Sequence, residues 1–181
     1  MFQRWKTGLL KSLFAMAAMA AALPAYAQTT EQVDSTVDIV RPLTLVNTAD
    51  LDFGRVIPGP TAGTITMAAN NVVTSGGGAI SAGGTDPARF YGYGTYNRIV
   101  GIRTFSNTIT INRSGGGANM TISNLTMAAT PVVPLQTAWR YFRIGAPDGF
   151  FSFSVGGQLN VGANQLPGIY NGTFTVELVY Y

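Results

Sequence analysis

The sequence predicts an all-β protein, and three observations support that class. Short segments in which apolar and polar residues alternate recur along the chain, as half-buried strands require. The 22 glycines cluster in turn-like stretches between these segments. After the first 27 residues no segment carries the sustained apolar stripe of an amphipathic helix. Many short strands, glycine-rich turns and no helices indicate a β-sandwich or a barrel.

The strands follow from alternation and from the turn residues that bound it. Two glycine-rich clusters, residues 75–84 and 113–119, are predicted as turns. No repeat of fixed period is visible, and about 154 residues after the signal segment suit one domain. The predicted strands are Ser35–Val46, Leu51–Val56, Gly63–Ala68, Ala88–Arg103, Thr108–Arg113, Asn119–Met127, Trp139–Ile144, Phe150–Val161 and Ile169–Tyr181.

The first 27 residues have the pattern of a cleaved signal peptide. Basic residues precede an apolar run from Leu13 to Leu23, and small residues at Ala25 and Ala27 suit a cleavage site. A membrane anchor is the alternative, but the run is 11 residues long, whereas a span needs about 20. We therefore expect export, a mature chain that begins near Gln28, passage through the periplasm, and a final location at the cell surface or outside the cell.

The charge balance after the signal segment bears on two classes of partner. The signal segment contains both lysines and one arginine, so eight arginines face eight acidic residues in the remainder. This balance gives no reason to expect a nucleic-acid partner or an anionic membrane. We expect no stable membrane insertion after cleavage.

The chain has little material for catalysis. It contains no histidine and no cysteine, the usual sources of catalytic bases, nucleophiles and transition-metal ligands. Asp50 and Asp52 are two residues apart, a spacing that places both on one face of a strand, but two carboxylates fall far short of a calcium site. We predict no enzyme activity, no catalytic residues, no metal site and no cofactor.

One aromatic and basic cluster is a candidate ligand surface. Rings that alternate with arginines can stack on a sugar or a base, although aromatic strand packing explains the same pattern. A monomeric secreted β-sandwich that binds a glycan or a cell-surface partner through this cluster is therefore an alternative function. The cluster consists of Arg89, Tyr91, Tyr93, Tyr96 and Arg98, with Trp139 from a later segment.

The last predicted strand alternates between apolar and polar residues, and the phase of this alternation helps to distinguish a sandwich from a barrel. Phe174, Val176, Leu178 and Tyr180 form an apolar face, whereas the face that ends in Tyr181 is interrupted by polar residues. A small outer-membrane barrel, which usually places its terminal aromatic on the lipid face, is therefore less favoured than a sandwich. The apolar face is expected to point into a sandwich or toward a partner that adds a strand.

These features resemble subunits of chaperone–usher pili. Such subunits commonly end in an alternating apolar strand with a penultimate tyrosine, here Tyr180, and a glycine fourteen positions from the end, here Gly168. The segments "LDFGRVIPG" at 51–59 and "SVGGQLNVGANQLPGIYNGTFTV" at 154–176 are similar to a secreted bacterial pilin-like family of unknown function. The resemblance implies an immunoglobulin-like sandwich that lacks a strand, which a periplasmic chaperone and then the next subunit supply at an usher. The disulfide of many such pilins cannot form here.

The segment before Pro42 is the candidate donor strand. Val33, Val37 and Ile39 share one face with Ser35, and Pro42 interrupts the pattern because proline cannot donate to a ladder. We therefore predict an extension at 28–40 and a sandwich domain at 41–181, in a subunit that polymerises with itself or with other fibre subunits. The alternative is an ordinary first strand of a self-sufficient sandwich.

Overall fold

A computed structural model describes residues 31–128 and 132–181. The predicted signal peptide and the first residues of the predicted extension lie outside these ranges. The chain divides into two compact units, Met1–Asp38 and Ile39–Tyr181. Of the first unit, residues 31–38 are described, and they are exposed and form neither strand nor helix.

The described residues form twelve strands and no helix, which confirms the predicted all-β class. Every strand pair among them is antiparallel, and the sheets stack in a sandwich-like arrangement. The strands are β1 (Thr44–Ala49), β2 (Val56–Met67), β3 (Val73–Ser81), β4 (Ala88–Tyr93), β5 (Ile99–Thr104), β6 (Thr108–Arg113), β7 (Asn119–Met127), β8 (Val133–Pro134), β9 (Arg140–Arg143), β10 (Phe150–Val161), β11 (Tyr170–Asn171) and β12 (Val176–Tyr180).

The two sheets differ greatly in size. The larger has nine strands, in the order β1-β4-β10-β7-β6-β11; in addition, β2 pairs with β10, β3 pairs with β2, and β8 pairs with β7. The smaller has the order β12-β5-β9. Strand β10 is the centre of the large sheet because it pairs with β2, β4 and β7.

The core lies between the sheets and is built from alternate residues of the strands. In β10, the inward side chains of Phe153, Val155 and Leu159 are buried, and the ring of Phe153 stacks on that of Phe90 with centroids 5.1 Å apart. Phe142 of the small sheet contacts Phe151 of the large one, at 5.4 Å between centroids. The inward side chains, which alternate with outward ones along each strand, therefore hold the two sheets together.

Three strands have the predicted bounds, namely Thr108–Arg113, Asn119–Met127 and Phe150–Val161. The prediction Gly63–Ala68 captured the second half of a longer β2, and Trp139–Ile144 shortens to β9. The prediction Leu51–Val56 was wrong, since only Val56 of these residues lies in a strand, as the first residue of β2, and Asp52 forms an isolated bridge to Asp86.

Other differences have clear physical causes. Ser35–Val46 was wrong over most of its length, because β1 begins at Thr44, beyond Pro42. The cluster at 75–84 is largely strand β3 rather than a turn. Its glycines permit close approach to β2, since a Cβ at Gly78 would lie 2.1 Å from the carbonyl oxygen of Thr61. The prediction Ala88–Arg103 divides into β4 and β5 at a turn where Asn97 has a φ of 63°, and Ile169–Tyr181 divides into β11 and β12.

Candidate functional site

A large groove opens in the sandwich because three strands cannot cover the inner face of nine. Its volume is about 1040 Å³. Its floor consists of inward side chains of the large sheet, most of which belong to the hydrophobic core. The floor is apolar, and all of its residues except Met120 are 8% exposed or less. The floor residues are Phe90, Ile109, Ile111, Met120, Ile122, Leu159 and Val161.

The first wall of the groove is the segment between β1 and β2, which contains the Leu-x-Phe-Gly motif. Phe53 is buried in the core, at 7% exposure. Gly54 has a φ of 64°, and a Cβ there would lie 2.2 Å from the carbonyl oxygen of Gly83. The motif therefore anchors the wall through the phenylalanine and permits a close turn through the glycine.

The second wall is the segment that connects β10 to β12. Arg113 Nε donates to the carbonyl oxygen of Pro167 at 2.7 Å. The Tyr170 hydroxyl donates to the carbonyl oxygen of Leu166 at 2.6 Å. A Cβ at Gly168 would lie 2.6 Å from Arg113 Nε. Gly168, predicted as a motif residue, therefore lets the wall pass close beside β6.

Strand β12 presents its predicted apolar face to the interior. Phe174, Val176, Leu178 and Tyr180 are partly buried and pack against the core. On the other face Tyr181 is 81% exposed, and Glu177 is half-buried, with its Oε2 accepting a hydrogen bond from Arg103 Nε at 2.6 Å.

One edge of β12 has no strand beside it among the described residues. Tyr181 N–H donates to the carbonyl oxygen of Ile99 at 3.0 Å, and the register continues from that pair along β5. Hydrogen-bonded residues alternate in an antiparallel ladder. The backbone N–H and C=O groups of Val176, Leu178 and Tyr180 therefore point toward the open edge.

The end of β12 and the start of the domain meet at one corner. The Tyr180 hydroxyl donates to the carbonyl oxygen of Arg41 at 2.8 Å and accepts from the N–H of Thr95 at 2.8 Å. Arg41 N–H donates to Thr95 Oγ1 at 2.7 Å. The chain that precedes β1 is thus fixed where the open edge of β12 ends.

The predicted donor residues are solvent-exposed. Val33, Val37 and Ile39 are 86%, 85% and 86% exposed, and residues 31–42 belong to no strand.

The predicted ligand cluster is divided between the two sheets. Tyr91 and Tyr93 project from the outer face of β4, where their rings lie 5.8 and 5.4 Å from that of Phe150. Sequence reasoning missed Phe150, although it lies in the opposite phase to the buried Phe151 and Phe153. Arg89 shares this outer face of β4 and pairs with Asp86 at 2.6 Å. The other members are separate: Tyr96 and Arg98 lie in the β4–β5 connection, and Trp139 lies with the small sheet, under Arg103 at 4.4 Å.

Two searches of the described residues are negative. No group of three or more histidine, cysteine, aspartate or glutamate side chains is placed to hold a metal ion in residues 31–128 and 132–181. Over the same ranges there is no helix of the length and apolarity that crossing a membrane requires.

Comparison with known proteins supplies a family. Residues 43–180 match the family described as a domain of unknown function, DUF4402. No curated protein matches the chain. The match spans the sandwich from the residue before β1 to the end of β12, and the chain therefore belongs to the DUF4402 family.

Proposed function

We propose that this protein is a structural subunit of a fimbria-like fibre on the bacterial surface, assembled by strand addition. In this proposal the extension of one copy, residues 28–40, enters the groove of the next copy beside β12. The observation that carries the proposal is the groove itself, an opening in the core next to a strand edge with free backbone groups among the described residues.

The extension has the chemistry that the groove requires. Val33, Val37 and Ile39 alternate with polar residues, so an added strand would turn these three side chains toward the floor and Asp34 and Asp38 toward water. Ten residues of strand span about 33 Å, enough to follow β12 and continue between the walls. The family match begins at residue 43, which leaves the extension outside the domain that the family shares.

The expected gain is large enough to hold a fibre together. Burial of three aliphatic side chains contributes roughly 4 to 9 kcal/mol. Each backbone hydrogen bond made at the edge of β12 adds about 0.5 to 1.5 kcal/mol. Such a joint dissociates slowly even after the cost of ordering the extension is subtracted.

A subunit with an empty groove leaves the edge of β12 unpaired among the described residues, and an open strand edge is a hazard for aggregation. The proposal therefore includes a periplasmic chaperone that covers the groove after export and an usher that exchanges it for the next subunit.

The test compares two variants that add the same charge to opposite faces of the extension. Val37→Asp places an unpaired charge against the apolar floor, at a cost of several kcal/mol, and should abolish fibres. Thr36→Asp places the charge in solvent and should assemble like wild type. Electron microscopy of cell-surface material and denaturation-resistant ladders on gels are the measurements.

Fibres formed by Val37→Asp at the wild-type level would contradict the proposal. A wild-type protein that stays monomeric at high concentration, with the usher and chaperone present, would contradict it as well.

A second candidate function has a specific observation of its own. Tyr91, Tyr93 and Phe150 form a strip of three rings on the outer face of the large sheet, with Tyr93 53% exposed. Exposed ring faces beside hydroxyl groups are suited to stacking on sugars, so this strip is the candidate glycan-binding surface of a secreted binding module.

A further inference from the structure

The side chain of Tyr180 does two separable things at the corner where β12 ends. Its ring packs against the core, which phenylalanine would do equally well. Its hydroxyl bridges two chain segments, through the carbonyl oxygen of Arg41 and the N–H of Thr95, at 2.8 Å each. The hydroxyl therefore serves a purpose that packing does not explain.

Arg41, the residue before Pro42, makes three hydrogen bonds to the rest of the domain. Its N–H donates to Thr95 Oγ1 at 2.7 Å, its carbonyl oxygen accepts from Tyr180, and its guanidinium Nη1 donates to the carbonyl oxygen of Asp148 at 3.1 Å. Gly94 makes this arrangement possible, because a Cβ there would lie 2.8 Å from the Tyr180 hydroxyl and 3.0 Å from Leu43 Cδ1.

We propose that Tyr180 and Thr95 act together as a clamp that keeps the extension out of the groove of its own subunit. Arg41 is the root of the extension, and the clamp fixes the direction in which the chain leaves the domain. This inference rests on the proposed function, because it concerns which copy of the groove the extension fills.

Insertion of the extension into the groove of its own subunit competes with fibre assembly, and the clamp must oppose it. A segment tethered to a site by a short flexible linker has an effective concentration of about millimolar. A neighbouring subunit at micromolar concentration is present at about a thousandth of that level. Without a constraint at the root, the extension would fill its own groove first, and no fibre would grow.

The geometry of the root opposes the required reversal. To enter its own groove beside β12, the extension would turn back within residues 41–43, because β1 begins at Thr44. Proline is favoured at the second position of a tight turn, in which the carbonyl oxygen of the preceding residue, here Arg41, accepts the closing hydrogen bond. The N–H and carbonyl groups of Arg41 are already bonded to Thr95 and Tyr180, so neither is available to a turn.

The experiment follows backbone hydrogen exchange of residues 33–39 in the purified protein, at a concentration at which size-exclusion chromatography gives a monomer. In wild type these amides should exchange at the rate of an unprotected chain. In Tyr180→Phe the ring remains but the clamp is lost, and exchange should slow by about tenfold or more as the extension enters its own groove. Thr95→Val, which removes the acceptor of the Arg41 N–H with little change of shape, should slow exchange in the same way.

Tyr141→Phe is the matched control, because it removes a hydroxyl from an exposed ring of the small sheet and should leave exchange unchanged. The proposal is overturned if the wild-type extension is already protected in the monomer, or if both variants exchange at the wild-type rate while folded. This measurement needs no fibre. Failure of the fibre proposal would appear instead as wild-type protein that does not assemble at high concentration.

Discussion

At the scale of single residues, Gly92 shows how tightly the strands meet beside the groove. A Cβ at this position of β4 would lie 2.3 Å from Cζ of Phe151 and 2.4 Å from the carbonyl oxygen of Thr44. The second contact is backbone and cannot rotate away. We expect Gly92→Ala to lower the free energy of unfolding by about 1 to 3 kcal/mol, measured by urea denaturation.

Gly145→Ala is the control for that substitution. A Cβ at Gly145 would have no heavy atom within 4 Å beyond its own residue and its two chain neighbours, so the change should alter the free energy of unfolding by less than about 0.5 kcal/mol. Equal losses at the two positions would mean that the added methyl acts through the unfolded chain and not through a clash.

At the scale of elements, the extension should act as a strand even when it is detached. A chain that lacks residues 28–40 should bind a synthetic peptide of that sequence in its groove. At a peptide concentration of about 100 times Kd, mass action stabilises the folded state by about 2.7 kcal/mol, which raises Tm by roughly 5 to 10 °C for a domain of this size. Differential scanning fluorimetry is the measurement.

The same peptide with Val37→Asp is the control, and it should leave Tm unchanged. If both peptides raise Tm equally, the extension binds somewhere other than an apolar groove. If neither does, the strand-addition joint is wrong.

The elements also show what the sequence can and cannot predict. Strands β6, β7 and β10 were predicted with their observed bounds because their alternation is clean and turn residues bound them. Strand β3 was missed because Gly76, Gly77 and Gly78 are turn residues by propensity, and only the neighbouring β2 makes them strand residues. Tertiary contact overrides local preference in such places.

The candidate site divides in the same way. The apolar phase of β12 was visible as alternation, and so was the shared face of Val33, Val37 and Ile39. The groove was not visible, because it depends on where segments 47–58 and 165–174 cross the large sheet. The clamp joins residues 139 positions apart, a distance over which no local pattern carries information.

At the scale of the whole molecule, the two candidate surfaces lie on opposite faces of one strand. In β4 the buried Phe90 lines the groove, whereas the exposed Tyr91 belongs to the aromatic strip. Substitutions on the two faces should therefore act independently. We expect Tyr93→Ser to abolish retention on immobilised polysaccharide, if the strip binds sugars, and to leave assembly intact.

Val37→Asp should show the converse, with retention intact and assembly lost. Pull-down on insoluble polysaccharides beside electron microscopy measures both properties for each variant. Loss of both properties in Tyr93→Ser would contradict their independence, and unchanged retention would remove the strip as a glycan surface.

The position of Arg41 has a consequence for growth under the proposed function. Each copy donates its extension, which leaves the domain at Arg41, and accepts the extension of another copy in its groove. The contact therefore joins two different surfaces and does not close on itself. A chain of such contacts is a polar filament whose two ends are chemically unlike. One end always presents an empty apolar groove, and the other always presents an extension with no recipient. Elongation and capping must therefore be carried out by different machinery at the two ends.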